Sequence, residues 1–228
     1  MARFQGFADA DGRFFKALAK NQKREWFQAH KEEFEAGWSQ PMKDLLTDLR
    51  EAIDDSYPHC DLDEPKVFRI FRDVRFSKDK SPYKTFVAGC IPTKRSAKVT
   101  ETPVAVYMHF GTETVIASGL YRMDSPALAR YRSAVAEDAR GKALVKILDK
   151  LEKWGFLMNG MHDDMLKKVP KGFDPHHPRG ELLRRKGLGV SYPALPKGAL
   201  ASPKLLPWLV DHSKRVAPLV EWLVFATA

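Results

Sequence analysis

The chain has 228 residues, of which 44% are apolar, 11% aromatic and 29% charged, a composition that excludes collagen-like, coiled-coil and broadly disordered classes. A chain this long can bury roughly 70% of its unfolded surface, so a single domain over residues 1–228 builds its core without a disulfide or metal. The net charge of +9 is unevenly placed: residues 1–65 hold 9 basic and 14 acidic residues, residues 66–98 hold 10 and 2, and residues 99–228 hold 19 and 13.

In chain order, Phe14, Phe15 and Leu18 sit at helical spacing and predict a first helix ending near Asn21. A second helix is predicted from about Arg24 to Ile53, with Asn21 as its N-cap and interruptions near Gly37 and Pro41. Its Trp26, Phe27, Phe34, Trp38, Leu45, Leu46 and Leu49 form a core-facing stripe, and its acidic residues form the solvated face. From Lys66 the pattern becomes short β-rich segments: Val67–Phe71, Thr85–Ile91, Val104–Phe110 and Thr114–Leu120. Gly111-Thr112-Glu113 suits a hairpin between the last two. Helical periodicity returns at Pro126–Ala136, capped by Asp124 or Ser125, and at Ala143–Trp154. A loop-rich stretch with Pro170, Gly172, Pro175, Pro178, Gly187, Gly189 and Pro193 precedes a last helix from Pro203 to Ala226, which Pro218 should bend or interrupt. This order predicts an α+β fold: a central antiparallel or mixed sheet over about residues 66–120, flanked by N- and C-terminal helices.

Cys60 and Cys90 have neither metal spacing nor a C-x-x-C motif and read as reduced thiols. Residues 1–7 lack the apolar stretch of a signal peptide, and the longest apolar segment, Leu219–Ala228, is interrupted by Glu221 and too short to span a membrane. The expected location is the cytoplasm, with no membrane partner.

Residues 69–84 hold the chemistry. If residues 67–76 are extended, Arg69, Phe71, Asp73 and Arg75 face one way, while Phe68, Ile70, Arg72, Val74 and Phe76 face the other. Arg72 then interrupts an apolar face and needs a partner, and replacing it should cost several kcal/mol, by analogy with broken buried ion pairs at ~3–5 kcal/mol. The Ser77–Pro82 turn can fold Lys80, Tyr83 and Lys84 back over the strand. Guanidiniums bind phosphate or carboxylate through a planar fork, and ammoniums add point charge. The expected ligand-binding set is therefore Arg69, Arg72, Asp73, Arg75, Lys80, Tyr83 and Lys84, with Asp73 orienting an arginine and Tyr83 offering its hydroxyl. The competing reading is an Arg–Asp network that only fixes a sheet edge.

The run Arg69-x-x-Arg72-Asp73-x-Arg75-Phe76-x-x-Asp79-Lys80-x-x-Tyr83 resembles the signature of an uncharacterised, mainly bacterial family of conserved hypothetical proteins, a domain of unknown function. Phe4-x-Gly6-Phe7, Trp26-Phe27-x-x-His30-Lys31, Gly119-Leu120-Tyr121 and Pro170-Lys171-Gly172-Phe173 are also similar, so the resemblance spans nearly the whole chain. It implies one family domain and supplies no activity.

His162-Asp163-Asp164 and Asp174-Pro175-His176-His177 contain metal-ligand types without ligand spacing, so no metal is expected. No glycine-rich phosphate loop and no nucleophile elbow occurs, and no cofactor is expected. Two functional readings follow, neither of which decides whether a reaction is catalysed. One is a pocket, in an enzyme or sensor, for a small phosphorylated or carboxylated ligand. The other is a nucleic-acid-binding module using the basic 66–98 stretch, including Lys94, Arg95 and Lys98. A structural interaction domain is the bland alternative.

Overall fold

A computed structural model of the chain describes residues 3–75, 78–93, 102–158 and 165–228. Five antiparallel strands form one sheet in sequence order: β1 (Lys66–Val67), β2 (Phe86–Pro92), β3 (Val104–Gly111), β4 (Thr114–Leu120) and β5 (Leu188–Ser191). Helices precede and follow this sheet, so the α+β expectation is met. Phe76, Ser77, Lys94, Arg95, Lys98 and His162-Asp163-Asp164 lie outside the described residues.

The N-terminal helices are α1 (Arg13–Lys20), α2 (Arg24–Ala29), α3 (Lys31–Phe34) and α4 (Gln40–Ile53). The Asp9 carboxylate accepts the backbone N–H groups of Arg13 and Phe14 at 3.0 and 2.8 Å, satisfying donors that the first turn of α1 leaves open. Asn21 ends α1 and does not cap the next helix, since α2 starts after Lys23. Between α3 and α4, Glu35–Ser39 form a π-helical turn around Gly37. That extra residue absorbs the change in phase and keeps Phe34, Trp38, Met42, Leu45 and Leu49 on the buried side.

Strand β3 alternates cleanly. Val106, Met108 and Phe110 point into the helical core, while Tyr107 and His109 occupy the opposite face. Phe110 meets Phe7, which stacks on Trp38 at 5.1 Å. Fully burying side chains of this size is worth about 1.5–3 kcal/mol each. Helix α4 lies against β2 at Gly89, where a Cβ would come within 2.5 Å of Leu46 Cδ1 and 2.9 Å of the Lys66 carbonyl oxygen. Glycine there lets helix and β1 close on one point, and this fixes where the chain leaves β1.

After the sheet come α5 (Ser125–Ala136), capped by the Asp124 carboxylate on Ala127 N–H at 2.8 Å, α6 (Asp138–Lys153) and α7 (Gly180–Arg184). The last helix, α8 (Leu205–Thr227), packs on β3 and β4 and runs through Pro218 without interruption. No helix among the described residues is long and apolar enough to cross a membrane. Both cysteines are free thiols, and Cys90 is buried in β2.

Candidate functional site

The extended run expected over residues 67–76 is broken. After β1 the backbone bends at Ile70, and pairing resumes only at Phe71, opposite Tyr83. Two backbone bonds hold this pair: Arg72 N–H donates to the Pro82 carbonyl and Lys84 N–H to the Ile70 carbonyl, both at 2.8 Å. Ile70 enters the core, and Arg72, on the same less exposed side as Ile70 and Val74, is half-buried. The charge on that side has the partner it needs, the Asp79 carboxylate.

Ion pairing in the loop is local. Arg72 bonds Asp79 across the loop, and Arg75 clasps Asp73 through Nε at 2.9 Å and Nη2 at 2.6 Å. The Arg75 hydrogen bonds hold the Asp73 carboxyl down at about 2. Asp79 is likewise held at about 2, first by its hydrogen bonds from Ser81 and then by Arg72. Arg72 and Asp73 are thus neighbours in sequence with different partners.

Among the described residues, Lys80 and Lys84 pair with no carboxylate. Lys80 Nζ donates to the Val74 carbonyl at 2.8 Å, and Lys84 Nζ donates to the Arg69 carbonyl at 2.9 Å while lying 5.8 Å from the centre of the Phe68 ring. Half-burial pushes the Lys84 pKa down, and repulsion from Arg69 and Arg72 pushes it further. Arg69 is exposed and has no ion-pair partner among the described residues. Arg69, Arg72 and Lys84 therefore share one neighbourhood, in which Asp73 also feels the charge of Arg69. Tyr83 is an anchor: its ring is buried and stacks on Phe27 at 4.6 Å, and its N–H donates to Gln22 Oε1 at 3.0 Å.

A second group escapes the sequence reading. On the outer face of β3 the Tyr107 hydroxyl is hydrogen-bonded to His109 Nδ1 at 3.0 Å. His109 is 7% exposed and stacks on Phe86 at 4.3 Å. Its Nε2 is buried without a hydrogen bond among the described residues, the Glu113 carboxylate lying 3.5 Å away. Burial pushes the His109 pKa down and the Tyr107 pKa up to about 12. Phe68, beneath Lys84, is 6.3 Å from the Tyr107 ring, so the two groups meet through aromatic contact. The available signal was the alternation Tyr107-x-His109 running into Gly111-Thr112-Glu113.

His177, from the Asp174-Pro175-His176-His177 run, accepts the Arg179 backbone N–H at Nδ1, 3.0 Å, and shapes the entry to α7. A cavity of about 490 Å³ lies between α6, α7 and β5, lined by Leu148, Leu151, Phe156, Leu182 and Val190, remote in sequence from the basic segment. Among the described residues no three His, Cys, Asp or Glu side chains are placed to hold a metal ion.

The chain belongs to the conserved hypothetical protein family DUF2461, whose profile matches residues 12–222. No curated protein and no solved structure matches it.

Proposed function

We propose that this is a cytoplasmic protein that binds a small phosphorylated or carboxylated ligand on the surface formed by residues 69–84. Arg69 and Lys84 grip the anion, Arg72, Arg75 and Lys80 supply the surrounding field, and Asp73 holds Arg75 in place. One observation carries this reading. Arg69 and Arg72 lie near enough to Lys84 to push its pKa down, and Lys84 Nζ rests on the Arg69 carbonyl, while the carboxylates of the loop, Asp73 and Asp79, are already engaged by Arg75 and Arg72. Packing like charges together costs stability, and an anion between them removes the cost. Lysines held on backbone carbonyls keep their positions without losing their charge, so the surface is arranged before a ligand arrives.

The test is a thermal-shift screen with phosphorylated metabolites, dicarboxylates and inorganic phosphate, on the wild type and an Arg69→Ala, Lys84→Met double variant. A ligand at a hundredfold excess over its Kd stabilises the fold by about 2.7 kcal/mol. The expected result is stabilisation of the wild type by at least one anion and loss of that response in the folded double variant. Equal responses in both proteins overturn the reading.

A further inference from the structure

We infer that the ligand of this surface carries a nucleobase joined to its phosphate, and that Phe71 is the ring on which the base stacks. The inference rests on the anion-binding reading and adds the chemical class of the ligand. Phe71 is 46% exposed, unusual for a phenylalanine in a strand pairing, and it lies within the cationic segment between Arg69 and Arg72. Its inner side is fixed. The ring sits 5.4 Å from Tyr83 and 6.3 Å from Phe27, while Tyr83 stacks on Phe27 in the core. Phe71 is therefore the outer ring of a three-ring cluster, tilted against Tyr83 and edge-on to Phe27, and held by the backbone bonds on either side of the Phe71–Tyr83 pair. A ring fixed in this way loses little conformational freedom when a planar partner settles on its open side.

The neighbouring charges select which planar partner fits. A neutral aromatic would use Phe71 and leave Arg69 and Lys84 crowded against each other. A sugar phosphate or dicarboxylate would satisfy the cations and leave the ring in water. A nucleobase with its phosphate satisfies both, since every base offers a π-face and an arginine beside it adds cation–π attraction. The same chemistry is presented by a free nucleotide and by a single-stranded nucleic acid.

The experiment measures Kd for ribose 5-phosphate, adenosine 5′-monophosphate and a ten-nucleotide single-stranded DNA on the wild type, Phe71→Ala and Phe71→Leu. Leucine keeps the apolar bulk against Tyr83 but has no π-face, which covers the case in which alanine unfolds the site. The wild type should bind the monophosphate roughly 5- to 150-fold tighter than ribose 5-phosphate, the worth of one base–aromatic stack. Both variants should lose that preference and keep their affinity for ribose 5-phosphate. Salt separates the two sources, because log Kd rises only shallowly with log salt for one phosphate and rises by about 0.7 per phosphate contact, per decade of salt, along a strand. Equal affinity of the wild type for ribose 5-phosphate and the monophosphate overturns the base while sparing the anion site. Binding of none of the three overturns both. Retention of anionic lipid vesicles through Phe71, without a nucleotide response, replaces the base with a membrane surface.

Discussion

Two arginine sites in this molecule are built on opposite plans. Arg179, 9% exposed, donates from Nε to the Val135 carbonyl at 2.7 Å and from Nη2 to the Ala136 carbonyl at 3.0 Å, with Asp138 3.5 Å from Nη1. These carbonyls end α5, so a cation there satisfies acceptors that the helix leaves open and complements its dipole. Gly141 makes room: a Cβ at that position would fall 2.4 Å from Arg179 Nε. In the 69–84 segment the arrangement is reversed. Its guanidiniums are half-buried or exposed, its ion pairs are made within the loop, and Arg69 lies near two other cations and near Asp73, which Arg75 already clasps. A guanidinium surrounded by carbonyls is part of the fold, whereas one near other cations, beside a carboxylate that another arginine already holds, is open to a further anion.

The largest effect should come from breaking the first plan. Arg179→Met leaves the buried Val135 and part-buried Ala136 carbonyls at the end of α5 without their donor, and each unsatisfied acceptor costs about 1–3 kcal/mol, so a loss of at least ~2 kcal/mol is expected in urea unfolding. Arg72→Met removes an ion pair whose side chains are 33% and 54% exposed, and should cost under ~1 kcal/mol. Similar losses at the two sites would erase the contrast.

A smaller effect is expected at His109, whose buried imidazole borders the basic region through Tyr107 and Phe68. Its folded pKa lies below the ordinary value near 6.5 because burial disfavours the cation. As pH falls below about 6.5 the unfolded chain takes up a proton that the folded chain refuses. Stability should therefore fall with pH across that window, by up to about 1.4 kcal/mol per unit. His109→Gln should flatten the curve between pH 7 and 5. Parallel curves for the two proteins would mean that the imidazole titrates alike in both states.

How much of this was legible in the sequence follows the same division. The strands β3 and β4 and the buried stripe of α4 were readable because alternation and helical spacing are local patterns that burial enforces. Strand β5 was not, since Leu188-Gly189-Val190-Ser191 is short and glycine-containing and becomes a strand only through pairing with β4. The charges of residues 69–84 were plain, but their partners were not. Alternation placed Arg72 on the side of Ile70 and Val74, where it is half-buried, but nothing local told that Asp79 would reach it across the loop. The Tyr107–His109 pair was missed because it needs the outer face of the sheet, which no single segment defines.

The smallest expected effect separates the plans most sharply. If Arg69 is held against its neighbours for a ligand, its removal should not destabilise the free protein. Arg69→Ala takes away an exposed side chain without an ion pair and lifts one source of the repulsion that holds the Lys84 pKa down. At low ionic strength the variant should be more stable than the wild type by a few tenths of a kcal/mol, the scale of surface charge interactions. In 1 M salt the Debye length is about 3 Å, and the difference should vanish. The Lys84 ammonium should titrate at higher pH in the variant, which NMR of its Nζ or ε-methylene reads directly. A binding surface kept at the expense of stability predicts this sign, and a structural arginine predicts the opposite one. A variant less stable than the wild type at every salt concentration would move Arg69 into the same class as Arg179.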